Sequence, residues 1–305
     1  MPNFFQKLSP RTQGTICLLI AVTVWSGWVL FGRYSVRASL SAYDITALRF
    51  SVAGVFLLPV LLRKGMKVGP WGYKSSIWLA CLMGAPYNVI ALSGMQYAPA
   101  SHAAAIIYTC MLIVSTLLGI LLLKEKTNAL RLLGITLSVG GIGCILFSAD
   151  RSEGSYEWIG SLLFLFVGTI WPLYTISVRA WKVDALHATA IVSVWSALLY
   201  LPIYFAFIPS QIGWHNWHEA AFHAIYQGIV NSILAMLCYN QGIRLLGAST
   251  SSAFIPLVPV LSTLLAIPFL QEIPGLLEWL GIGLASFGVL LAIGILDKRP
   301  VAAPK

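Results

Sequence analysis

Carboxylates are scarce in this 305-residue chain, which has ten Asp and Glu against nineteen Lys and Arg, and only 10% of its residues are charged. An ordinary soluble domain carries about 25%. No Asp or Glu falls at the centre of an apolar run; Asp44, Glu157, Asp184 and Glu278 sit at or near the ends of such runs. Proton-driven export of cationic drugs usually needs a buried carboxylate that alternates between proton and cation, so that mechanism is disfavoured. An intramembrane protease would need paired carboxylates or a Ser/His constellation, and His102 beside Ser101 is too little for one. No catalytic residue is assigned, and the chain is not expected to be an enzyme.

Cysteine is also sparse. Cys17, Cys81, Cys110, Cys144 and Cys238 each lie inside an apolar run, with no CxxC and no histidine pair at ligand spacing, so neither a metal site nor a cofactor is expected. They read as reduced thiols acting as small hydrophobes. Lys7 and Arg11 precede the first apolar run, yet no small-x-small cleavage site comes before its polar exit at Gly32 to Arg37. That run reads as a retained helix rather than a signal peptide.

What the chain does have is apolar sequence, 58% of the whole. About 20 apolar residues cross a hydrocarbon core of roughly 30 Å. The pattern predicts ten spans, at 14–33, 43–62, 75–96, 99–123, 129–148, 157–179, 185–208, 219–243, 248–271 and 275–296. Threaded with the amino terminus inside, these put Lys7, Arg11, Arg63, Lys64, Lys67, Lys74, Lys124, Lys126, Arg131, Arg179, Lys182, Arg244, Lys298, Arg299 and Lys305 on the cytoplasmic side. Only Arg33, Arg37, Arg49 and Arg151 fall at or near the other face. The formal net charge of +9 is therefore topological, and nucleic acid is not an expected partner. The expectation is a multi-pass protein of a bacterial inner membrane with both termini cytoplasmic.

The chain also resembles itself. Ser115-Thr116-Leu117-Leu118 recurs as Ser262-Thr263-Leu264-Leu265, Glu125 as Glu272, Leu133-Gly134-Ile135 as Leu280-Gly281-Ile282, and Gly141 as Gly288, all at one offset. This duplication divides the chain into repeats at 1–148 and 149–305, the second with a short cytoplasmic tail. Each repeat has five spans, an odd number, so the second copy enters the membrane from the opposite side. The expected fold is an all-α membrane protein of two inverted five-helix repeats around a central cavity, an arrangement that recurs in secondary transporters.

Several side chains are candidates to line that cavity. Trp25 lies roughly 15 Å from the start of the first helix, too deep for the interfacial aromatic belt. Trp28, Trp171 and Tyr174 are similarly placed. Tyr87, Asn88, His102 and Tyr108 in the third and fourth helices, and Asn231, Ser232, Tyr239 and Asn240 in the eighth, are polar at membrane depth. They must therefore face other helices or a wet cavity. As a set they suit a small zwitterion or neutral metabolite. Arg49 is the one cation well inside a span, and it either snorkels or pairs with Asp44, or else meets a substrate carboxylate or gates the outer side. His102 is the candidate proton carrier. Pro256, Pro259 and Pro268 in the ninth helix are hinge candidates, and the corresponding stretch of the fourth helix, 108–121, has no proline. The paired glycines of the fifth and tenth helices suggest scaffold packing or a homodimer contact.

Taken together these segments resemble the drug/metabolite transporter superfamily in its ten-helix EamA-type form, over nearly the whole chain. The resemblance rests on Trp25-Ser26-Gly27, Ala47-Leu48-Arg49-Phe50, the stretch from Ala100-Ser101 through Leu123-Lys124-Glu125-Lys126-Thr127, and its second copy from Ala248-Ser249 to Gln271-Glu272. It implies a basket of helices one to four and six to nine around a cavity, with helices five and ten outside. It further implies alternating access for small metabolites, often export of amino acids or related compounds. Glu125 and Glu272 match the helix-end glutamates of such proteins and are expected to cap a neighbouring helix. The proline usual in the middle of the fourth helix is missing around Met111 and Leu112, whereas Pro259 keeps its counterpart. Strictly symmetric rocking is therefore not expected. A passive channel or facilitator is the alternative reading.

Overall fold

The computed structural model describes residues 8–123, 128–149 and 155–293. Among the described residues there are ten helices long and apolar enough to cross a membrane. They are α1 (Pro10–Ala38), α2 (Ala42–Lys64), α3 (Tyr73–Tyr97), α4 (Ala100–Leu123), α5 (Ala129–Ser148), α6 (Glu157–Ala180), α7 (Ala185–Phe207), α8 (Trp217–Leu246), α9 (Thr250–Leu270) and α10 (Leu276–Ile293). Their starts are set by local chemistry. Ser9 accepts the Thr12 N–H ahead of Pro10, Ser41 and Asp44 form a reciprocal capping box, and Asn128 and Asp184 accept the N–H of Arg131 and His187.

The packing shows the two-fold relation between the halves. α4 lies on α6 as α9 lies on α1; α3 lies on α6 as α8 lies on α1; α2 meets α8 as α7 meets α3. The pairs α2 with α7, α4 with α9 and α5 with α10 cross between halves at the symmetry axis. Two five-helix repeats, inverted because five is odd, thus form one bundle.

α5 and α10 pack mainly on each other, beside α4 and α9. A Cβ on Gly134 would come within 2.5 Å of the Gly288 carbonyl oxygen, and one on Gly141 within 2.6 Å of that of Gly281. Backbones in this contact are as close as two helices can come. The glycines that suggested a dimer contact are therefore already covered within one chain.

Three spans are interrupted. α3 breaks at Gly84 between Tyr73–Met83 and Ala85–Tyr97. Pro86 cannot donate to the preceding turn, and the freed Ala85 N–H donates instead to Ser196 Oγ of α7 at 3.1 Å. α8 widens into a π-helical segment, Tyr226–Leu234, where the Ser232 hydroxyl donates to the Gln227 carbonyl at 2.8 Å. α9 opens on a short helical turn, Ala248–Ser252, and its regular part runs from Leu257 to Leu270. The three prolines do not all lie inside a continuous ninth helix as expected: Pro256 is the cap of Leu257–Leu270, Pro259 sits in its first turn, and only Pro268 is interior. A proline in the first turn removes a donor that has no intrahelical partner anyway. The corresponding helix α4 is unbroken.

Candidate functional site

A cavity of about 280 Å³ lies between the two halves. Eleven of the residues singled out from sequence line it: Trp25 and Trp28 from α1, Arg49 from α2, Tyr87 from α3, Tyr108 from α4, Trp171 and Tyr174 from α6, and Asn231, Ser232, Tyr239 and Asn240 from α8. The break in α3 gives Tyr87 its place on the wall, and the π segment supplies Asn231 and Ser232. The aromatic rings form a braced wall. Trp171 meets Tyr87 edge-on at 5.8 Å and Tyr108 at 5.9 Å, and Trp25 tilts against Tyr239 at 5.1 Å. Such contacts fix ring orientation as well as burying area.

Two candidates lie elsewhere. Asn88 is fully buried behind the wall, where its Oδ1 accepts from Arg49 Nη1 at 3.0 Å and its amide donates to Thr46 at 2.8 Å. Arg49 therefore neither snorkels outward nor pairs with Asp44. Asp44 is instead held in its capping box with Ser41 and by Tyr204 and Ser210. His102 is outside the cavity; its Nε2 lies 2.9 Å from Glu278 of α10 and its Nδ1 3.1 Å from Ser161 of α6. Its nearness to a helix start places it in a clasp between helix ends. His223 of α8 is as deeply buried, with Nε2 at 2.7 Å from Ser35, so His102 is not the sole histidine in a span interior.

An aromatic layer seals one end of the cavity. Beyond Trp28 on α1, Phe31 packs edge-on against Phe222 at 4.9 Å and Tyr226 at 5.0 Å, and the Tyr226 hydroxyl donates to the Val24 carbonyl at 2.7 Å. Above this layer Arg33 donates to Glu272 at 2.7 Å, while the other Glu272 oxygen accepts the Ala100 N–H at 2.9 Å. Glu272 thus caps α4 from across the repeat. Glu125, its counterpart, lies outside the described residues.

At the other end the lining reaches Arg179, in the last turn of α6, and Ala185, the first residue of α7. The cavity opens toward that end. Lys64 joins Asp184 beside the opening, linking α2 to α7. Burial alone would raise the Asp184 carboxyl, but the Lys64 hydrogen bond and the His187 N–H hold it below the usual carboxylate range. It stays charged at neutral pH.

The walls also contain Met83, Thr175, Thr189, Ser193 and Met236, which sequence reasoning passed over. Each is an ordinary residue for an apolar span, and only the packing turns it inward. No Asp or Glu lines the cavity, and no cluster of metal-ligating side chains is found among the described residues.

Comparison with known proteins agrees with this architecture. A solved structure 21% identical in sequence superposes with a TM-score of 0.60, covering 92% of this chain and 96% of its own, and so shares the fold. The chain is 24% identical to the uncharacterized inner membrane transporter YedA of Escherichia coli K12, over 98% of this chain and 97% of YedA. It is likewise 24% identical to the uncharacterized transporter YetK of Bacillus subtilis, over 95% and 89%. The relatives are transporters, not enzymes. The EamA-like transporter family matches twice, at residues 12–147 and 158–294, one match for each five-helix repeat. This multi-pass membrane protein belongs to the EamA-like transporter family.

Proposed function

We propose that the chain is a secondary transporter that exports small organic metabolites, amino acids among them, by alternating access between its two repeats. The observation that carries this reading is a cavity between the repeats that reaches the Arg179–Ala185 end and is sealed at the Arg33–Glu272 end. Two similar halves of opposite orientation can exchange conformations and so expose one midplane site to either side. A channel would need a path open at both ends, or a filter of charged side chains or carbonyls.

The sense of transport follows from the basic residues. Short loops rich in Lys and Arg favour the cytoplasm, and both termini are assigned there, in a bacterial inner membrane such as the one YedA's name specifies. In that orientation the cavity faces the cytoplasm, ready to load solute for export. The break ahead of Leu257 and the proline at 268 make α9 the more compliant of the two corresponding helices, and the hinge is assigned to it. The cavity is complete within one chain, so transport does not require the homodimer that the glycine pattern left open.

Reconstitution into proteoliposomes with a metabolite panel tests the proposal. Saturable flux of at least one solute is expected, with rates far below ionic conductance. If no solute moves, or if the protein conducts ions as a pore, the carrier reading fails. Comparison of metabolites released by cells with and without the protein then identifies the physiological solutes.

A further inference from the structure

We propose that Arg49, Trp28 and Tyr87 form an anion subsite in the cavity, selecting solutes with a carboxylate on an otherwise apolar body. The carboxylate is the required group, and an amino group is dispensable. The inference deepens the transporter reading and rests on it for the identity of the occupant as the transported solute.

The first observation is electrostatic. Arg49 lies roughly 10 Å along α2 from its start, within the depth of a bilayer, and a charged group there is costly unless compensated. Its contacts are neutral: Nη1 donates to Asn88, and its guanidinium carbon sits 5.4 Å from the Phe50 ring centre. None of the ion pairs among the described residues includes it. The cation is held in position by Asn88, itself fixed by Thr46, but nothing neutralises it.

The second observation is the donor set around it. Trp28 Nε1, Tyr87 Oη and Arg49 Nε are buried without a hydrogen-bond partner in the protein. All three side chains line the cavity, and both Trp28 and Tyr87 are less than 5% exposed. Buried donors left unpaired are uncommon and costly. Two of these groups can only donate. What these groups lack is an acceptor, and a negatively charged ligand oxygen is the acceptor that also suits the guanidinium.

The third observation selects the rest of the solute. With no Asp or Glu in the lining, an ammonium finds only neutral acceptors such as Asn231, Asn240 and Ser193. The remaining wall is largely aromatic and aliphatic, with Trp25, Trp171 and Met236 among its members. One half-buried cation matches a monoanion; the second arginine of the lining, Arg179, is exposed at the mouth. A phosphate ester, with up to two charges, would bind less well than a carboxylate.

The test uses the purified full-length protein and two matched series, each an amino acid, its deaminated acid, the corresponding amide and the decarboxylated amine. The aromatic series is L-phenylalanine, 3-phenylpropionate, 3-phenylpropionamide and 2-phenylethylamine. The aliphatic series is L-leucine, 4-methylpentanoate, 4-methylpentanamide and 3-methylbutylamine. Binding is read from tryptophan fluorescence and from calorimetry. In at least one series the two acids should bind about tenfold or more tightly than the amide, as charge-assisted hydrogen bonds allow, and the amine weakest of all. Arg49→Gln should abolish that preference while keeping amide binding within twofold. Arg49→Lys should keep part of it, since charge survives but the fork does not. Trp28→Phe, which deletes a donor and keeps a ring, should weaken the acids severalfold; with Arg49→Lys it carries the test if Arg49→Gln does not fold. Equal binding of acid and amide, preference for the amine, no binding by any of the eight, or an acid preference that survives in folded Arg49→Gln overturns the subsite. Flux in proteoliposomes separates the two readings: acids that bind while no solute of the metabolite panel moves sink the carrier and leave the subsite, whereas flux without acid preference sinks the subsite and leaves the carrier.

Discussion

Arg33 of the first repeat donates to Glu272 of the second at 2.7 Å, and the same carboxylate caps the helix that begins at Ala100. Three helices are therefore tied at the sealed end by one side chain from α1 and one from just beyond α9. Arg37 stands at 3.7 Å from the same oxygen. The arrangement fixes α4 of the first repeat to the end of its own counterpart.

Breaking this tie should be expensive. Arg33 and Glu272 side chains are 6% and 14% exposed, and removal of one partner from a buried pair costs about 3–5 kcal/mol. Glu272→Ala should lower the melting temperature clearly in detergent. The double variant Arg33→Met with Glu272→Met should recover part of that loss. Additive losses in this cycle would mean the two side chains are not coupled.

The Lys64–Asp184 pair at the open end makes the contrast. These side chains are 42% and 52% exposed, and exposed pairs are worth about 0–1 kcal/mol. Asp184→Asn should therefore shift stability little. Because the folded-state carboxyl is held below its usual range, its contribution is full at neutral pH and fades as the pH falls through the acid range. A melting series from pH 7 to pH 2 on wild type and variant should converge only at its acid end, below the usual carboxylate range.

Gly288 and Gly143 predict the fate of larger residues in the outer helix pair. A Cβ at Gly288 would stand 2.6 Å from the Gly134 carbonyl oxygen, a backbone atom that has no freedom to yield. Gly288→Val should destabilise by about 1–3 kcal/mol or more through overpacking, whereas Gly143→Val, where nothing lies within 4 Å, should be tolerated. Equal melting temperatures for the two variants would contradict the close approach of α5 and α10.

The aromatic wall should matter for solute and little for folding. Trp171→Ala removes the ring that braces both Tyr87 and Tyr108, and uptake by proteoliposomes should fall at least tenfold while the protein still elutes as a folded species. Unchanged flux and affinity would remove Trp171 from the site.

Asn88→Asp would place a carboxylate where the Arg49 guanidinium now finds a neutral oxygen at 3.0 Å. An internal counter-ion of this kind competes with any anionic solute, so binding of carboxylates should weaken about tenfold or more. Calorimetry with the two deaminated acids named above checks it, and unweakened binding would show that Arg49 does not meet the anion.

The helices were legible because the solvent dictates them: long apolar runs with polar punctuation have few other uses, and the odd span count per repeat gave the inversion. Trp25, Trp171 and Tyr108 were legible as well, since aromatic and polar groups so deep in a span must face protein or cavity. The clasp of His102 with Glu278 was not, because it joins residues far apart in the chain at a helix end, where local pattern says only that a cap is welcome. The π segment of α8 left no sign in its composition, yet it is what turns Asn231 and Ser232 to the wall. Met83 and Met236 were invisible for the opposite reason, being just what a lipid-facing position would hold.

The break ahead of Leu257, with no match in α4, gives the molecule one jointed arm and one stiff one. A perfectly duplicated chain would hold its two open forms at equal free energy in a symmetric bilayer. Here the fold itself tilts that balance, so under the alternating-access proposal the population should favour one face even without solute or gradient, and the bias comes from the break ahead of Leu257 and the interior Pro268.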